Sequence, residues 1–499
     1  MHFNKFSVFL TLLFLPYYTY CQLHTHSNPW DWKNINTKDI VFSNKFLWGA
    51  AICEYQNSGA FHCDKNNWVQ WENTSYADGK PHIVNGQKSG RSCNHWQSYK
   101  QDIELMKHLG LNSFRFSVEW SKIEPQEGVI DKSAIQHYVD FCNALLEAGI
   151  TPLITLHHFT HPQWFEDKGA FEHEDNISYF VQFAKKMFAV LGDKVHLWCT
   201  INEPTIYVFQ SYIRGVFPPG KKSFVELFPN QLAVQVLKNL MIAHTQIYRA
   251  LKEMPHGDKS QIGLVHQYLR FMPYSNWHVL EKLPGFALNY FLNDVVLNFC
   301  STGTFTYNFY VPCIANIHAE YKAPEGPLLD FIGLNYYSRV LVHFKWLIMP
   351  MSSCYPHEVM TDMPYAMYAQ GLYEAIKDVA RLRVPIYITE NGIADEKDTK
   401  RKQFLKQYIY ALSSAIRAGY DVRGFYYWSL TDNFEWDMGY TMKFGLYGVN
   451  FETQERTLRK GSKYYAKVIR KAREGLLAKP TILALKLKDS SQELHEKHS

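Results

Sequence analysis

Residues 196–204 read HLWCTINEP, and this stretch shows the pattern that predicts the fold. An apolar, β-rich run, typical of a buried strand, ends at Asn202, Glu203 and Pro204. A second run, IYIT at 386–389, ends in the same way at Glu390, which precedes an Asn-Gly turn. Polar residues at the carboxyl ends of buried strands are typical of an α/β barrel, whose strand ends carry the chemistry.

Eight such apolar runs recur along the chain. They are Phe46 to Ile52, Ser113 to Val118, Pro152 to His158, His196 to Ile201, Ile262 to Leu269, Phe331 to Tyr336, Pro385 to Thr389 and Val422 to Ser429. Segments with helical spacing of apolar residues lie between them, namely Ser98 to Leu109, Ile135 to Ala148, Ile177 to Leu191, Ala233 to Leu251, Leu372 to Leu382 and Phe404 to Ala418. This alternation predicts a single (β/α)8 TIM barrel of the α/β class, with long loops over its C-terminal mouth. A doubly wound sheet would show similar runs, but no Gly-rich phosphate loop follows any of them.

The two ends of the chain are predicted to lie outside the barrel. Residues 1–21 resemble a secretory signal peptide, because a short polar start precedes the apolar run Phe6 to Leu15, which is too short to span a membrane. A lipid anchor on Cys21 is the weaker alternative, since the Tyr-rich sequence before it suits lipidation poorly. We therefore expect an exported protein (extracellular, periplasmic or lumenal), with the barrel over 22–479 and a polar tail over 480–499. Within the barrel, residues 270–330 are predicted to be an irregular insertion over the mouth.

The composition argues against several functional classes. The net charge is only +5 over 499 residues, and the basic residues are scattered, so nucleic-acid binding is not predicted. No cysteine spacing resembles a zinc site, and neither a metal nor a cofactor is predicted. The eight cysteines that follow Cys21 permit either reduced core thiols or one or two disulfides. Asn73 and Asn176 begin N-glycosylation acceptor sequences. No membrane span and no particular oligomeric state are predicted for the mature chain.

The two glutamates form a candidate pair for acid–base and nucleophilic chemistry. An arbitrary glutamate at a strand end is most simply a solvated loop residue. The apolar neighbourhood of Glu203, however, favours a raised carboxyl pKa, which a general acid needs near neutral pH. A nucleophile must instead stay ionised, and Arg115, flanked by Phe114 and Phe116 in a predicted strand, is a candidate cation for Glu390. Paired carboxylates of this kind are the minimum equipment for hydrolysis of a glycosidic bond.

Several motifs, in the same order, resemble glycoside hydrolase family 1, the β-glucosidase family. They are Phe46-Leu47-Trp48-Gly49-Ala50-Ala51 with Tyr55-Gln56, Phe114-Arg115-Phe116-Ser117 with Trp120, Thr155-Leu156-His157-His158, Thr200-Ile201-Asn202-Glu203-Pro204, Asp330-Phe331-Ile332-Gly333-Leu334-Asn335-Tyr336-Tyr337, Ile388-Thr389-Glu390-Asn391-Gly392, and Trp428-Ser429-Leu430 with Asp432-Asn433-Phe434-Glu435-Trp436. The resemblance covers the chain from about Phe42 to Tyr465.

The resemblance implies a role for each matching residue. Glu203 would be the general acid/base and Glu390 the nucleophile of a retaining double displacement on a small-molecule β-glycoside, without a cofactor. Tyr337 and Arg115 would position and ionise Glu390, and Asn202 would hold the 2-hydroxyl of the sugar. The other substrate-binding residues would be Gln56, His158, Asn335, Glu435 and Trp436, with Trp428 as the stacking floor. A retaining enzyme implies a carboxyl separation of roughly 5 Å.

The sequence also distinguishes branches of the family. Glu435, with Met442 and Phe444 where the phospho-glycosidase branch has its phosphate ligands, implies an unphosphorylated substrate, most simply a β-glucoside. The sugar epimer stays open. The rival hypothesis is a catalytically silent, carbohydrate-binding member of the same fold. This chain also departs from the family at Ser58, Phe159 and Tyr365, where a glutamate and two tryptophans are usual, and Tyr365 puts the aglycone preference in doubt.

Overall fold

In the computed structural model, the described residues are Trp30, Trp32, Ile35, 40–223, 228–311, 315–343, 351–352 and 354–477. The chain divides into two units, Met1–Thr37 and Lys38–Ser499. In the first, the rings of Trp30 and Trp32 stack with centroids 5.3 Å apart. The predicted signal peptide, 1–21, and the predicted polar tail, 480–499, lie outside the described residues.

All the helices and strands of the described residues belong to the second unit. Its strands are β1 (Leu47–Ala51), β2 (Ser113–Ser117), β3 (Thr151–His157), β4 (Leu197–Asn202), β5 (Gln261–Gln267), β6 (Arg270–Pro273), β7 (Thr304–Val311), β8 (Ala315–Lys322), β9 (Phe331–Asn335), β10 (Arg339–Val342), β11 (Met351–Ser352), β12 (Ile386–Asn391), β13 (Val422–Trp428), β14 (Tyr447–Val449) and β15 (Arg456–Leu458). Its α-helices are α1 (Glu54–His62), α2 (Asn67–Glu72), α3 (His95–Leu109), α4 (Trp120–Ile123), α5 (Lys132–Glu147), α6 (Gln163–Asp167), α7 (Ile177–Leu191), α8 (Pro204–Val208), α9 (Gln231–Lys252), α10 (Val279–Asn289), α11 (Val295–Thr302), α12 (Gln370–Val379), α13 (Arg401–Arg417) and α14 (Lys463–Arg473).

Eight parallel strands close into a barrel in the order β1-β13-β12-β9-β5-β4-β3-β2. Each of them overlaps one of the eight predicted apolar runs, with ends that differ by at most two residues, and the predicted (β/α)8 fold is confirmed. Strand β2, with the sequence SFRFS, is buried along its whole length, because its two faces are covered by the barrel interior and by the outer helices. The carboxyl ends of all eight strands meet at one mouth, so the residues that follow them become neighbours.

The prediction that residues 270–330 are irregular was wrong. This segment contains β6, α10, α11 and the antiparallel hairpin β7–β8, whose strands pair from Thr304 with Lys322 to Val311 with Ala315. The hairpin packs on α9 and α11. Alternating residues such as TFTYNFYV are typical of a half-covered strand, and this local period explains the hairpin. Strand β6 pairs with β10, and both follow the carboxyl ends of barrel strands, so this small sheet extends the mouth.

The cysteines of the described residues carry free thiols. Five of them, Cys53, Cys63, Cys93, Cys142 and Cys199, are buried, as is usual for a small apolar side chain. No disulfide joins two of the described cysteines, and Cys313 lies outside the described residues.

Candidate active site

Glu203 lies at the end of β4, where the strand turns into a helix. Its backbone is left-handed, with φ 46°, and its amide donates to the Val265 carbonyl of β5 at 2.8 Å. Pro204 begins α8 directly afterwards, a position at which proline suits a helix because its missing N–H would have no partner there. This turn projects the Glu203 carboxyl into the mouth, where it is 5% exposed.

Glu390 is the second-last residue of β12, and two hydrogen-bond donors hold its carboxylate. Arg115 donates from Nη1 to Oε1 at 2.5 Å, and the Tyr337 hydroxyl donates to Oε2 at 2.8 Å. The Arg115 guanidinium has no solvent exposure, so its charge depends on this carboxylate for compensation. His158 lies farther away, with Nε2 4.0 Å from Oε1.

A chain of hydrogen bonds connects the two carboxylates. Arg115 Nη2 donates to Asn202 Oδ1 at 2.7 Å, and Asn335 Nδ2 donates to the same oxygen at 3.2 Å. Asn335 Nδ2 also donates to Glu203 Oε1 at 2.6 Å. The orientation of Asn335 is fixed because its Oδ1 accepts from the Thr389 hydroxyl at 2.7 Å. Glu390 and Glu203 are therefore parts of one preorganised polar network.

The two carboxylates differ in electrostatic environment. Glu390 meets a guanidinium, whereas the side-chain donors of Glu203 are neutral amides. Burial raises the pKa of Glu203 well above its usual value, and the negative charge of Glu390 raises it further. Burial, together with Glu390, also raises the pKa of the Tyr337 phenol, which therefore remains a hydrogen-bond donor. The site thus holds one carboxyl that favours its proton beside one that is paired with a cation.

Several polar side chains on one side of the mouth have buried atoms without a hydrogen-bond partner in the described structure. Gln56 Oε1, His158 Nδ1 and Asn202 Nδ2 are buried and have no hydrogen-bond partner among the described residues. Gln56 Nε2, in contrast, donates to Phe434 O at 3.0 Å and to Glu435 Oε2 at 3.3 Å. Buried polar atoms are costly without partners, and sugar hydroxyls would supply them.

Aromatic rings form the rest of this wall. The ring of His158 lies 5.7 Å from Trp428 and 6.1 Å from Trp436, between centroids. Trp436 packs in turn on Trp68 at 4.6 Å. An aromatic face of this kind suits the apolar face of a pyranose. The structure therefore brings all eleven predicted side chains together at the mouth.

Glu435 is the third carboxyl of the mouth. Burial raises its pKa to about 8, with a further contribution from the negative charge of Glu390. A protonated Glu435 would both donate and accept hydrogen bonds, as a pair of vicinal hydroxyls requires. Met442 and Phe444 follow it in sequence, and the Phe444 ring lies 6.0 Å from that of Tyr337.

The three departures from the family pattern have structural partners. The Ser58 hydroxyl donates to Glu54 at 2.5 Å and accepts from the Trp96 amide at 2.9 Å, so this position keeps its hydrogen bonds. Phe159 packs against Trp436 with centroids 5.4 Å apart. The ring of Tyr365 lies 6.4 Å from that of Tyr337, which places it at the mouth.

Gln267 belongs to this site but was not predicted from the sequence. Gln267 is the last residue of β5, and when its amide nitrogen faces Glu203 it lies 2.8 Å from Oε2 and 3.1 Å from Oε1. The predicted strand ran past it to Leu269. A polar residue near the end of an apolar run was the available signal, since the same signal identified Glu203.

The part of the chain that the structure describes offers neither a metal site nor a membrane-crossing helix. It contains no group of three or more His, Cys, Asp or Glu residues that could hold a metal ion. None of its helices combines the length and the apolar character that a membrane crossing requires.

Known proteins share this fold and much of this sequence. A family model described as glycosyl hydrolase family 1 matches residues 38–474. Beta-glucosidase A of Acetivibrio thermocellus is 32% identical over 457 residues, which are 86% of this chain and 98% of that protein. A beta-glycosidase from Pyrococcus horikoshii superposes with a TM-score of 0.76 and 34% identity, covering 87% of this chain and 96% of its own. A beta-glucosidase from Thermotoga maritima in complex with glucoimidazole has a TM-score of 0.76 and 28% identity, covering 87% of this chain and 99% of its own.

Proposed function

Because the chain belongs to glycosyl hydrolase family 1, we propose that it hydrolyses unphosphorylated β-glycosides, above all β-glucosides, with retention of configuration. One observation carries this proposal: two buried carboxyls share the mouth, one clamped by a guanidinium and a phenol, the other held by neutral amides. Of the similar proteins, one is named a beta-glucosidase and another was solved with glucoimidazole bound. These names support glucose as the preferred sugar.

Glu390 acts as the nucleophile. Arg115 and Tyr337 each hold one of its two oxygens, so the carboxylate is paired with a cation and fixed in orientation, and lone pairs remain available for attack. In the first step one of its oxygens bonds to the anomeric carbon as the bond from that carbon to the glycosidic oxygen breaks. The product is a glycosyl ester on Glu390.

Glu203 acts as the general acid of the same step. Burial and the charge of Glu390 raise the pKa of Glu203 and so favour the protonated carboxyl, whose proton passes to the departing glycosidic oxygen, which leaves as a neutral alcohol. Esterification then removes the negative charge of Glu390, which after burial is the largest cause of the raised pKa of Glu203. Glu203 is consequently a stronger acid in the intermediate, and its carboxylate takes a proton from the water that attacks the anomeric carbon.

The sugar is held by the wall that includes Gln56, His158 and Asn202. Each offers a buried polar atom that lacks a partner in the described structure, and each is a suitable partner for a hydroxyl. Asn202 lies beside the Arg115 guanidinium of the nucleophile network, as a residue that binds the 2-hydroxyl must. Trp428 supplies the apolar floor.

The absence of a phosphate on the substrate follows from charge. Glu435 lies at the sugar-binding wall and offers a phosphate dianion no positive charge in either form, and its ionised form, which predominates above about pH 8, would repel the dianion. Met442 and Phe444 bring no positive charge to the positions after it. A phosphorylated glycoside would therefore lose affinity at this wall, whereas a free 6-hydroxyl would not.

The decisive experiment measures hydrolysis of an aryl β-glucoside by the wild-type chain, Glu390→Gln and Glu203→Gln. We expect turnover by the wild type, background turnover by Glu390→Gln, and a loss of about 10²–10⁴-fold in Glu203→Gln. Glucoside binding without turnover by the wild type would instead support the silent, carbohydrate-binding alternative. Full activity of either variant would overturn the assignment of the two carboxyls.

Export from the cell is part of the proposal and rests on sequence alone. The apolar run Phe6 to Leu15 and the small residues near Cys21 support a signal peptide over 1–21. Expression of the full chain in a secreting host, with sequencing of the amino terminus of the protein in the medium, tests it. A protein retained in the cell with Met1 intact would overturn it.

A further inference from the structure

Gln267 is the side chain of the mouth that neither the sequence motifs nor the roles above include. It is the last residue of β5, and it pairs in register with Asn335 on β9. The strand on its other side, β4, leads directly into Glu203, whose amide bonds to Val265 of β5. The barrel register therefore places Gln267 between the acid/base carboxyl and its other amide partner.

A single nitrogen of Gln267 contacts both carboxyl oxygens of Glu203. With its nitrogen toward the carboxylate, the amide lies 2.8 Å from Oε2 and 3.1 Å from Oε1. Asn335 reaches only Oε1, at 2.6 Å. Gln267 is thus the side-chain donor to Oε2 in the described structure, and Oε2 is the oxygen that Asn335 leaves free to exchange a proton.

Both amides are oriented as donors. Asn335 is fixed because its oxygen accepts from Thr389, and reversal would break that bond. When the Gln267 nitrogen faces Glu203, its oxygen is turned away from the carboxyl and toward hydrogen-bond donors, so this end of the amide is satisfied as well. An amide nitrogen donates and does not accept, so neither side chain competes for the proton of the carboxylic acid.

We propose that Gln267 is a positioning residue for Glu203: its amide nitrogen donates to Oε2 in both halves of the reaction and leaves the proton of the carboxylic acid free for the leaving group. This inference rests on the proposed function, since it assumes that Glu203 is the acid/base. An arginine at this place would clamp Glu203 in the ionised form, as Arg115 clamps Glu390. A neutral amide orients the carboxyl and leaves it able to carry the proton.

The test compares two substrates whose leaving groups differ in their need for a proton. Departure of 2,4-dinitrophenolate needs no proton, whereas departure of an alkoxide from methyl β-glucoside does. Gln267→Met keeps the length of the side chain and removes its hydrogen bonds. We expect kcat/KM to fall by roughly 10-fold or more on the methyl glucoside and by less than about 3-fold on the dinitrophenyl glucoside.

A second readout is the alkaline limb of kcat/KM on the methyl glucoside. The hydrogen bond that Gln267 donates is stronger to the charged carboxylate than to the neutral acid, so its removal raises the pKa of Glu203. The limb should therefore move to higher pH in Gln267→Met. A loss of folding alone would not produce such a shift.

The matched control is Gln261→Met, the same substitution at the opposite end of β5. It should leave kcat/KM for both substrates, and its pH profile, unchanged. Gln267→Asn, one methylene shorter, replaces the Met variant if that variant does not fold. It should show the same leaving-group selectivity, with smaller fold-changes in kcat/KM. Equal losses on both substrates, no loss on either, or the same selectivity in Gln261→Met would overturn the inference. In those cases the proposed function would stand, because it is decided separately by wild-type turnover and Glu203→Gln.

Discussion

Arg115 and Glu390 form an ion pair at 2.5 Å in which the side chains are 0% and 5% exposed. The guanidinium uses all three of its nitrogens, because Nε also donates to Thr155 and Nη2 to Asn202. A single side chain thus connects the nucleophile, the barrel interior and the residue assigned to the 2-hydroxyl. Its planar fork, rather than its charge alone, sets this geometry.

Substitution of Arg115 separates these contributions. Arg115→Met leaves Glu390 buried beside no cation, so we expect the free energy of unfolding to fall by about 3–5 kcal/mol, measured by urea denaturation. Arg115→Lys keeps the charge but cannot make the three bonds, and kcat/KM should fall by about 10²-fold with a smaller loss of stability. Arg423→Lys is the control, since the pair of Arg423 with Asp421 is 47% and 55% exposed, and its stability should change by less than about 1 kcal/mol. Wild-type kcat/KM in Arg115→Lys would contradict the positioning role.

The stereochemical course is a second prediction. A nucleophilic Glu390 and an acid/base Glu203 imply a carboxyl separation of roughly 5 Å and two successive displacements at the anomeric carbon. Proton NMR in the first minutes of hydrolysis should therefore show the β anomer of the released sugar, followed by slow mutarotation. An α anomer formed first would mean inversion through water and would undo the assignment of Glu390.

The two glycosylation sequences should differ in use if the protein is exported to a glycosylating compartment. Asn73 is exposed, and its side-chain amide donates one hydrogen bond, to the Val69 carbonyl. Asn176 is half-buried, and its amide donates to both Lys168 O and Ala170 O, which a glycan would disrupt. We expect Asn73→Gln to abolish the mass removed by a peptide N-glycosidase. Asn176→Gln should leave that mass unchanged, and a glycan found on Asn176 alone would contradict this prediction.

The fold and the main carboxyl pair were predictable because their signals are local. Each barrel strand is a continuous apolar run, and Glu203 and Glu390 interrupt such runs at the point where the chain turns. A buried arginine between two phenylalanines likewise indicates a partner carboxylate. The hairpin β7–β8 had an equally local signal in its alternating residues, but these lay inside a segment whose aromatic and proline content favoured an irregular interpretation.

The rest of the site depends on register, which no local pattern reports. Gln267 becomes a partner of Glu203 only because β5 lies between β4 and β9, with Gln267 beside Asn335. The bond from Arg115 to Asn202 joins residues 87 positions apart. Which polar residue at a strand end points into the mouth is decided by strand order and stagger, and these follow from closure of the whole barrel.

Glu435→Gln should stabilise the protein in a pH-dependent way. The folded state raises the pKa of Glu435 to about 8, chiefly by burial, from an ordinary value of 4.5. The folded protein therefore holds this proton more tightly than the unfolded chain does, and wild-type stability falls as pH rises from about 4.5 to about 8. Glutamine does not ionise, so the variant escapes this loss. The gain in unfolding free energy should be small at pH 4.5 and reach about 1–2 kcal/mol at pH 8.5, since Glu435 is partly exposed. Denaturant unfolding at the two pH values measures it, with exposed Glu452→Gln as the control. A gain of equal size at both pH values would show that shape, rather than charge, governs this position.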